Sequence, residues 1–298
     1  MSRSCEIEVE GGSLIYQVND GHIQIEQCHV RESAFKIPDR IENLPVTVIL
    51  KKAVLSSKIL KELWLPEELW EIGDWAFAHC SRLEKVWLPE KNISFGKGVF
   101  KDCMGLSRIY FTEREDEKLA GLFAMVPVML DAEYLLAPKE AGDTAWIEKL
   151  DARLVTLLDK PDEEGYLKQV LCGEEDLMAS LDIYLANRRK EKASLCFARL
   201  LNDTGLGQGL KSVLQKYLRE NTKGCEYESA WEIVFKQHGQ DKEYYRIFAE
   251  SGCITEDNFD GLLLDMGESN PEMKAWMLRY KEENRKEEDF FAGLSLDE

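Results

Sequence analysis

Four kinds of pattern in this chain bring together residue types that could do chemistry. Cys28-His29 and His79-Cys80 pair zinc-ligating residues, but a zinc site needs four ligands, and neither pair has a second pair at ligand spacing. Gly205-Leu-Gly207-Gln-Gly209 precedes a helical pattern and could turn its backbone N–H groups toward an anion. It lacks the lysine of a phosphate loop and follows a helix rather than a strand, which fits a connector better. None of the four histidines belongs to a recognisable Ser or Cys nucleophile motif. The abundant Asp and Glu form no isolated acid pair in an apolar setting, so a solvated helix face accounts for them. The expectation is no catalytic residue, no metal and no cofactor.

A further pattern is suited to binding. Trp64, Trp87 and Tyr110 recur at 23-residue intervals, each two residues after Glu62, Lys85 and Arg108 respectively, and Lys36 stands in register with Trp64 one coil earlier. On neighbouring strands about 4.8 Å apart these side chains would form an aromatic ladder. Its exposed area, on the order of several hundred Å², is the size at which an apolar patch marks an interaction site. Trp, Tyr and Arg also dominate binding hot spots. Two arrangements are open: a bare face for a partner, or a face covered by the first helices after Phe111.

Such a ladder needs a repeating scaffold, and the sequence supplies one. Leu60, Leu83 and Leu106 are spaced by the same interval as the ladder, as are Leu63, Val86 and Ile109, and Leu65, Leu88 and Phe111. Phe77 with Phe100, Gly73 with Gly96, Cys80 with Cys103, and Pro66 with Pro89 keep it too. A period of this length means a solenoid, since one unit cannot bury its own apolar face. In Leu60-Lys-Glu-Leu-Trp-Leu-Pro66 the alternation predicts a short strand, which the proline ends. Leu69 to Leu83 then predicts a turn and a short helical return. Upstream, Phe35-Lys-Ile-Pro38 repeats the strand ending, but the step from Ile37 to Leu65 is longer than the step from Leu65 to Leu88, so an extra loop is expected near Glu42 to Pro45. Leu14 to Val18 and Ile23 to Ile25, joined through Asn19-Asp20-Gly21, predict a β-hairpin that caps the stack. Leu63, Leu65, Ile72, Phe77, Leu83, Leu88, Phe100 and Leu106 are the expected core.

The string Ile37-Pro38, Pro45-Val46, Ala53, Leu60-Lys-Glu-Leu-Trp-Leu-Pro66, Ile72-Gly-Asp-Trp-Ala-Phe77, Cys80-Ser-Arg-Leu83-Glu-Lys-Val-Trp-Leu-Pro89 resembles the BspA-type leucine-rich repeats of bacteria. The likeness covers about residues 11 to 111. It implies a curved solenoid used for protein or surface recognition, usually without catalysis. At the ladder position the family carries small or β-branched polar residues, so two tryptophans and a tyrosine are a departure. Many members are secreted adhesins, whereas this chain begins Met-Ser-Arg-Ser-Cys-Glu-Ile-Glu with no apolar signal core.

Beyond Glu113 the periodicity changes. Trp146, Leu150, Leu154, Leu157 and Leu158, and again Leu177, Leu181, Tyr184 and Leu185, recur at helical spacing. The fold class expected is α+β: a leucine-rich repeat domain over 1–112, with about three coils and an N-terminal hairpin cap, then an all-helical domain over 113–298. A bundle and an α-solenoid weakly similar to ankyrin-like helix pairs are both open for the second. Charge divides along the same line. Residues 1–112 hold 14 basic and 16 acidic residues, net −2, and the remainder 24 and 40, net −16 of the total −18. That field opposes phosphate backbones and anionic membranes and favours a partner with a basic surface. Eight cysteines without disulfide-like spacing, together with the start of the chain, predict reduced thiols and a cytoplasmic location. The functional expectation is a non-catalytic protein-interaction module acting as adaptor or regulator; the alternative is an enzyme with a site in the helical half or at the domain junction.

Overall fold

A short extended segment points its N–H and C=O groups sideways, and in a repeat only the next copy can satisfy them. The computed structural model describes residues 4–166 and 181–294, with side chains through 283. In chain order its strands are β1 (Cys5–Val9), β2 (Gly12–Asn19), β3 (His22–Val30), β4 (Ala34–Lys36), β5 (Arg40–Ile41), β6 (Leu44–Ile49), β7 (Glu62–Trp64), β8 (Glu71–Ile72), β9 (Lys85–Leu88), β10 (Ser94–Phe95) and β11 (Arg108–Phe111). They form two sheets, one ordered β1-β2-β3-β6-β8-β10 with β5 beside β6, the other β11-β9-β7-β4. In the second sheet Phe35, Leu63, Val86 and Ile109 lie opposite one another in parallel register. That makes four rungs, one more than the three coils counted from the strict period. The first interval is longer than the others because β5 and β6 form a hairpin over Glu42 and Asn43, both at positive φ.

All eight expected core residues are at most 4% exposed. Phe77 stacks on Phe100 with centroids 5.6 Å apart. The corner of each coil differs from the expected helical turn: it is a run of tight turns. Lys52, Trp75 and Gly98 occupy the left-handed region, and so do Ser56, His79 and Asp102. Both sets keep the spacing of the repeat, and two left-handed residues so close together interrupt any right-handed helix.

At the N-terminal end β2 and β3 pair antiparallel around Asp20 and Gly21, both at positive φ, the turn that Asp-Gly favours. The strand β1 extends this hairpin and was not anticipated, although Cys5 to Val9 alternates in burial. At the other end the repeat runs straight into helices. Phe123 of α1 (Glu117–Met125) meets Phe111 edge-on at 5.1 Å and stacks on Trp146 of α2 (Thr144–Leu158) at 5.9 Å. Between them lie a π-helical turn, Val126–Leu130, and a 3₁₀ turn, Glu133–Leu135. The compact unit holding the repeat therefore comprises Met1–Asp159 with Asn202–Leu206, rather than ending at residue 112. The reason is physical: β11 is the last rung, and its apolar side must be covered by the helices that follow.

The second unit, Lys160–Leu201 with Gly207–Glu298, is helical where described. Its helices are α3 (Leu181–Leu201), α4 (Gln208–Glu220), α5 (Ser229–Glu232), α6 (Lys242–Glu250), α7 (Glu256–Met266) and α8 (Pro271–Leu294). Helix α3 is central, packing against α4, α5 and α6. Leu177 of the helical pattern noted above lies outside the described residues. Lys192 is 5% exposed, and its ammonium reaches Asp162 at 2.6 Å. Burial alone would raise the Asp162 carboxyl, but hydrogen bonds from Lys192 and Arg189 hold it below its ordinary value.

Candidate functional site

On a strand, alternate side chains point to opposite faces, so the in-register rungs place one aromatic column on the outside of the second sheet. Trp64 and Trp87 stack with centroids 4.3 Å apart and planes 6° from parallel; Trp87 and Tyr110 follow at 5.1 Å and 16°. Both tryptophans are half-buried. Their indole N–H groups have no acceptor among the described residues. Lys36 stands exposed on the rung before Trp64.

The column is not uniform along its length. Tyr110 is 9% exposed, because the first turn of α1 lies over it. Its hydroxyl donates to the Glu117 carboxylate at 2.9 Å. Burial first, and Glu117 second, push this phenol up to about 12. Arg108 reaches the same carboxylate at 3.3 Å. The helices after Phe111 thus cover the last rung and leave the two tryptophans half-exposed, which combines the two arrangements left open by the sequence. Beside Trp64 and Trp87, Lys85 pairs with Glu62 at 3.2 Å, so that flank is internally neutralised.

The other flank was not singled out from the sequence. Asp39, Glu67, Glu90 and Glu113 follow the four successive strand-ending segments, the first step longer than the other two, which are equal. Among the described residues only Glu90 of this column has a cationic partner, Arg114 at 2.9 Å. Arg40 is taken by Glu68 at 2.8 Å. The signal available in the sequence was the acid that closes each Ile-Pro-Asp or Leu-Pro-Glu.

The cysteine and histidine pairs are not brought together. Cys28 is buried, which pushes its thiol up, while His29 is exposed. His79 lies 3.2 Å from Asp102, and the Cys80 thiol donates to the Val54 carbonyl at 3.0 Å. Cys103 repeats that bond with Phe77 at 3.1 Å. Among the described residues no group of three or more His, Cys, Asp or Glu side chains is placed to hold a metal ion. Gly207 and Gly209 of the glycine-rich segment face open space. No helix among the described residues is long and apolar enough to cross a membrane.

The family model described as BspA type leucine rich repeat region, in six copies, matches residues 27–124. No curated protein matches the chain. Among solved structures, a leucine-rich repeat protein from Bacteroides capillosus ATCC 29799 is 27% identical over 34% of this chain and 78% of its own, with a TM-score of 0.31. A leucine rich cell surface protein from Faecalibacterium prausnitzii A2-165 is 22% identical over 35% of this chain, at a TM-score of 0.30. The chain spans 29% of that protein's length.

Proposed function

We propose that this chain is a non-catalytic protein-interaction module that grips its partner on the strand face of the repeats through Trp64 and Trp87. The observation that carries the reading is the stacked, half-exposed indole pair whose N–H groups have no acceptor among the described residues. Rings already held against each other lose little further entropy on binding, which makes them efficient anchors. The repeat family matched over 27–124 is generally a protein-binding and non-catalytic one. Glu62, Lys85, Arg108 and Tyr110 are supporting residues, fixed by their ion pairs and by Glu117. Lys36 borders the first indole.

The partner in this reading is a protein with a basic surface. Support comes from Asp39, Glu67 and Glu113, whose carboxylates have no cationic partner among the described residues, and from the net charge of −18, which speeds encounter with cations. The same charge opposes nucleic acid and anionic membranes. A reducing, cytoplasmic setting belongs to the proposal as well, supported by free thiols at Cys5, Cys28, Cys80, Cys103, Cys196, Cys225 and Cys253; Cys172 lies outside the described residues.

The test is the Trp64→Ala, Trp87→Ala double variant. Proteins captured from the host by the tagged wild-type chain and lost with the variant are the expected result, since each central aromatic anchor is worth about 2 kcal/mol or more. Acrylamide quenching of the free wild-type protein should fall in the variant. A variant that captures the same proteins at the same yield would remove this face from the function.

A further inference from the structure

The corners of the coils are joined by a second hydrogen-bond ladder, separate from the sheets. The N–H groups of Lys52, Val54 and Ser56 donate to the carbonyls of Asp74, Ala76 and Ala78 at 3.0, 2.7 and 2.9 Å. One coil on, those of Trp75, Phe77 and His79 donate to Lys97, Val99 and Lys101 at 2.9, 3.0 and 2.8 Å. The last corner presents the same three donors again, on Gly98, Phe100 and Asp102. The Gly98 N–H is met by the Glu133 carboxylate. Those of Phe100 and Asp102 have no acceptor among the described residues.

These two residues line a groove of about 370 Å³ whose other walls include Met104, Pro127, Val128 and Asp131. Met104 is 77% exposed. The groove carries three carboxylates, on Asp102, Asp131 and Glu133, against one ammonium, on Lys101. Its chemistry is thus a pair of backbone donors two residues apart, an apolar wall and a negative rim.

We propose that this groove binds an extended, basic segment of a partner protein. Carbonyls two residues apart in that segment accept from the Phe100 and Asp102 N–H groups, as Val99 and Lys101 do one coil earlier. Its apolar side chains lie on Met104, Pro127 and Val128, and its lysines or arginines face Asp131 and Glu133. Backbone bonds of this kind give affinity, and the alternate side chains give selectivity. Phosphate-bearing partners are repelled by the rim. The carbonyls of Asp74, Ala76, Ala78, Lys97, Val99 and Lys101 already accept from the preceding coil, so those two corners of a second copy are not the segment this groove takes. This site lies apart from the strand face, and the inference does not depend on the reading given to Trp64 and Trp87.

The test uses the full chain labelled with ¹⁵N and a capped seven-residue peptide of alternating Lys and Val, with an alternating Glu and Val peptide as control. The expected result is saturable binding of the basic peptide alone, with amide exchange at Phe100 and Asp102 slowed about tenfold or more on binding. Met104→Lys, at a position too exposed to affect folding, should weaken binding at least about tenfold, equivalent to about 1.4 kcal/mol. Trp64→Ala with Trp87→Ala should leave it unchanged. The proposal is overturned by no saturation at about 1 mM peptide, by binding that leaves both amides unprotected, by equal binding of the acidic peptide, or by a Met104→Lys chain that binds as the wild type does. Concentration-dependent protection of the two amides without peptide would assign the groove to self-association instead and would equally overturn it.

Discussion

The repeat coils and the helical unit solve the same problem of buried polar groups in opposite ways. In the coils from Leu60 to Leu106 the buried positions are apolar, and the backbone groups are satisfied by the neighbouring coil at fixed offsets, as in Leu65 N–H to Trp87 C=O at 2.8 Å and Thr112 N–H to Leu88 C=O at 3.0 Å. In the helical unit the polar groups are particular. Lys192 is held by Asp162 and by the Lys160 carbonyl, and Trp231 donates to Asp265 at 2.8 Å, each arrangement occurring once among the described residues. A periodic core distributes its stability over interchangeable contacts, whereas an aperiodic one concentrates it in pairs that cannot be replaced singly.

Five substitutions can break or sharpen that contrast. The largest effect is expected at Phe77, 0% exposed: Phe77→Ala should cost about 3 to 5 kcal/mol in urea unfolding. If the coils are interchangeable, Phe100→Ala, at 1% exposure, should fall in the same range, and a cost several-fold apart would break the equivalence. Next comes Asp162→Ala, which strands Lys192 and should cost about 3 kcal/mol. Its pH signature has a definite sign. Because the carboxyl is held below its ordinary value, its contribution is complete above the unfolded pKa of about 3.9. That contribution is lost as pH falls through the lower folded value, so the variant should flatten the acid limb of the stability curve.

Smaller still is Gly98→Ala. A Cβ there would stand 2.6 Å from the Trp75 ring, at φ +60, and left-handed backbone alone costs about 1 to 2 kcal/mol. A melting temperature equal to wild type would show that the corner is softer than its geometry implies. The smallest change is Tyr110→Phe, which removes the bond to Glu117 at a cost of about 1 kcal/mol. With the phenol pushed up to about 12, its contribution is whole below the unfolded value of about 10 and disappears as pH rises from there through 12. Loss of that alkaline dependence in the variant is the check.

How far the sequence foretold the structure follows from the same contrast. Leu63, Val86 and Ile109 were legible as one buried column because each repeats the environment of the last. The hairpin at Asp20-Gly21 was legible because few residue pairs accept its dihedral angles. The corner was misread as helical because Trp75 and His79, unlike Gly98, give no outward sign of a left-handed backbone. The cover over Tyr110 depends on where α1 lands after the 112–116 connection, and no local pattern specifies that. Asp162 and Lys192 are 30 residues apart in a region without a period, so nothing in their spacing links them.

Glu133 meets the Gly98 N–H in the place that a main-chain carbonyl of a following coil holds for Lys52 and Trp75. Its counterpart is an amide that every coil offers at the same point. A duplicated or deleted coil upstream therefore presents an unchanged end to the same carboxylate. Across descent, the length of such a repeat can change by whole coils while the seal that closes it is inherited intact.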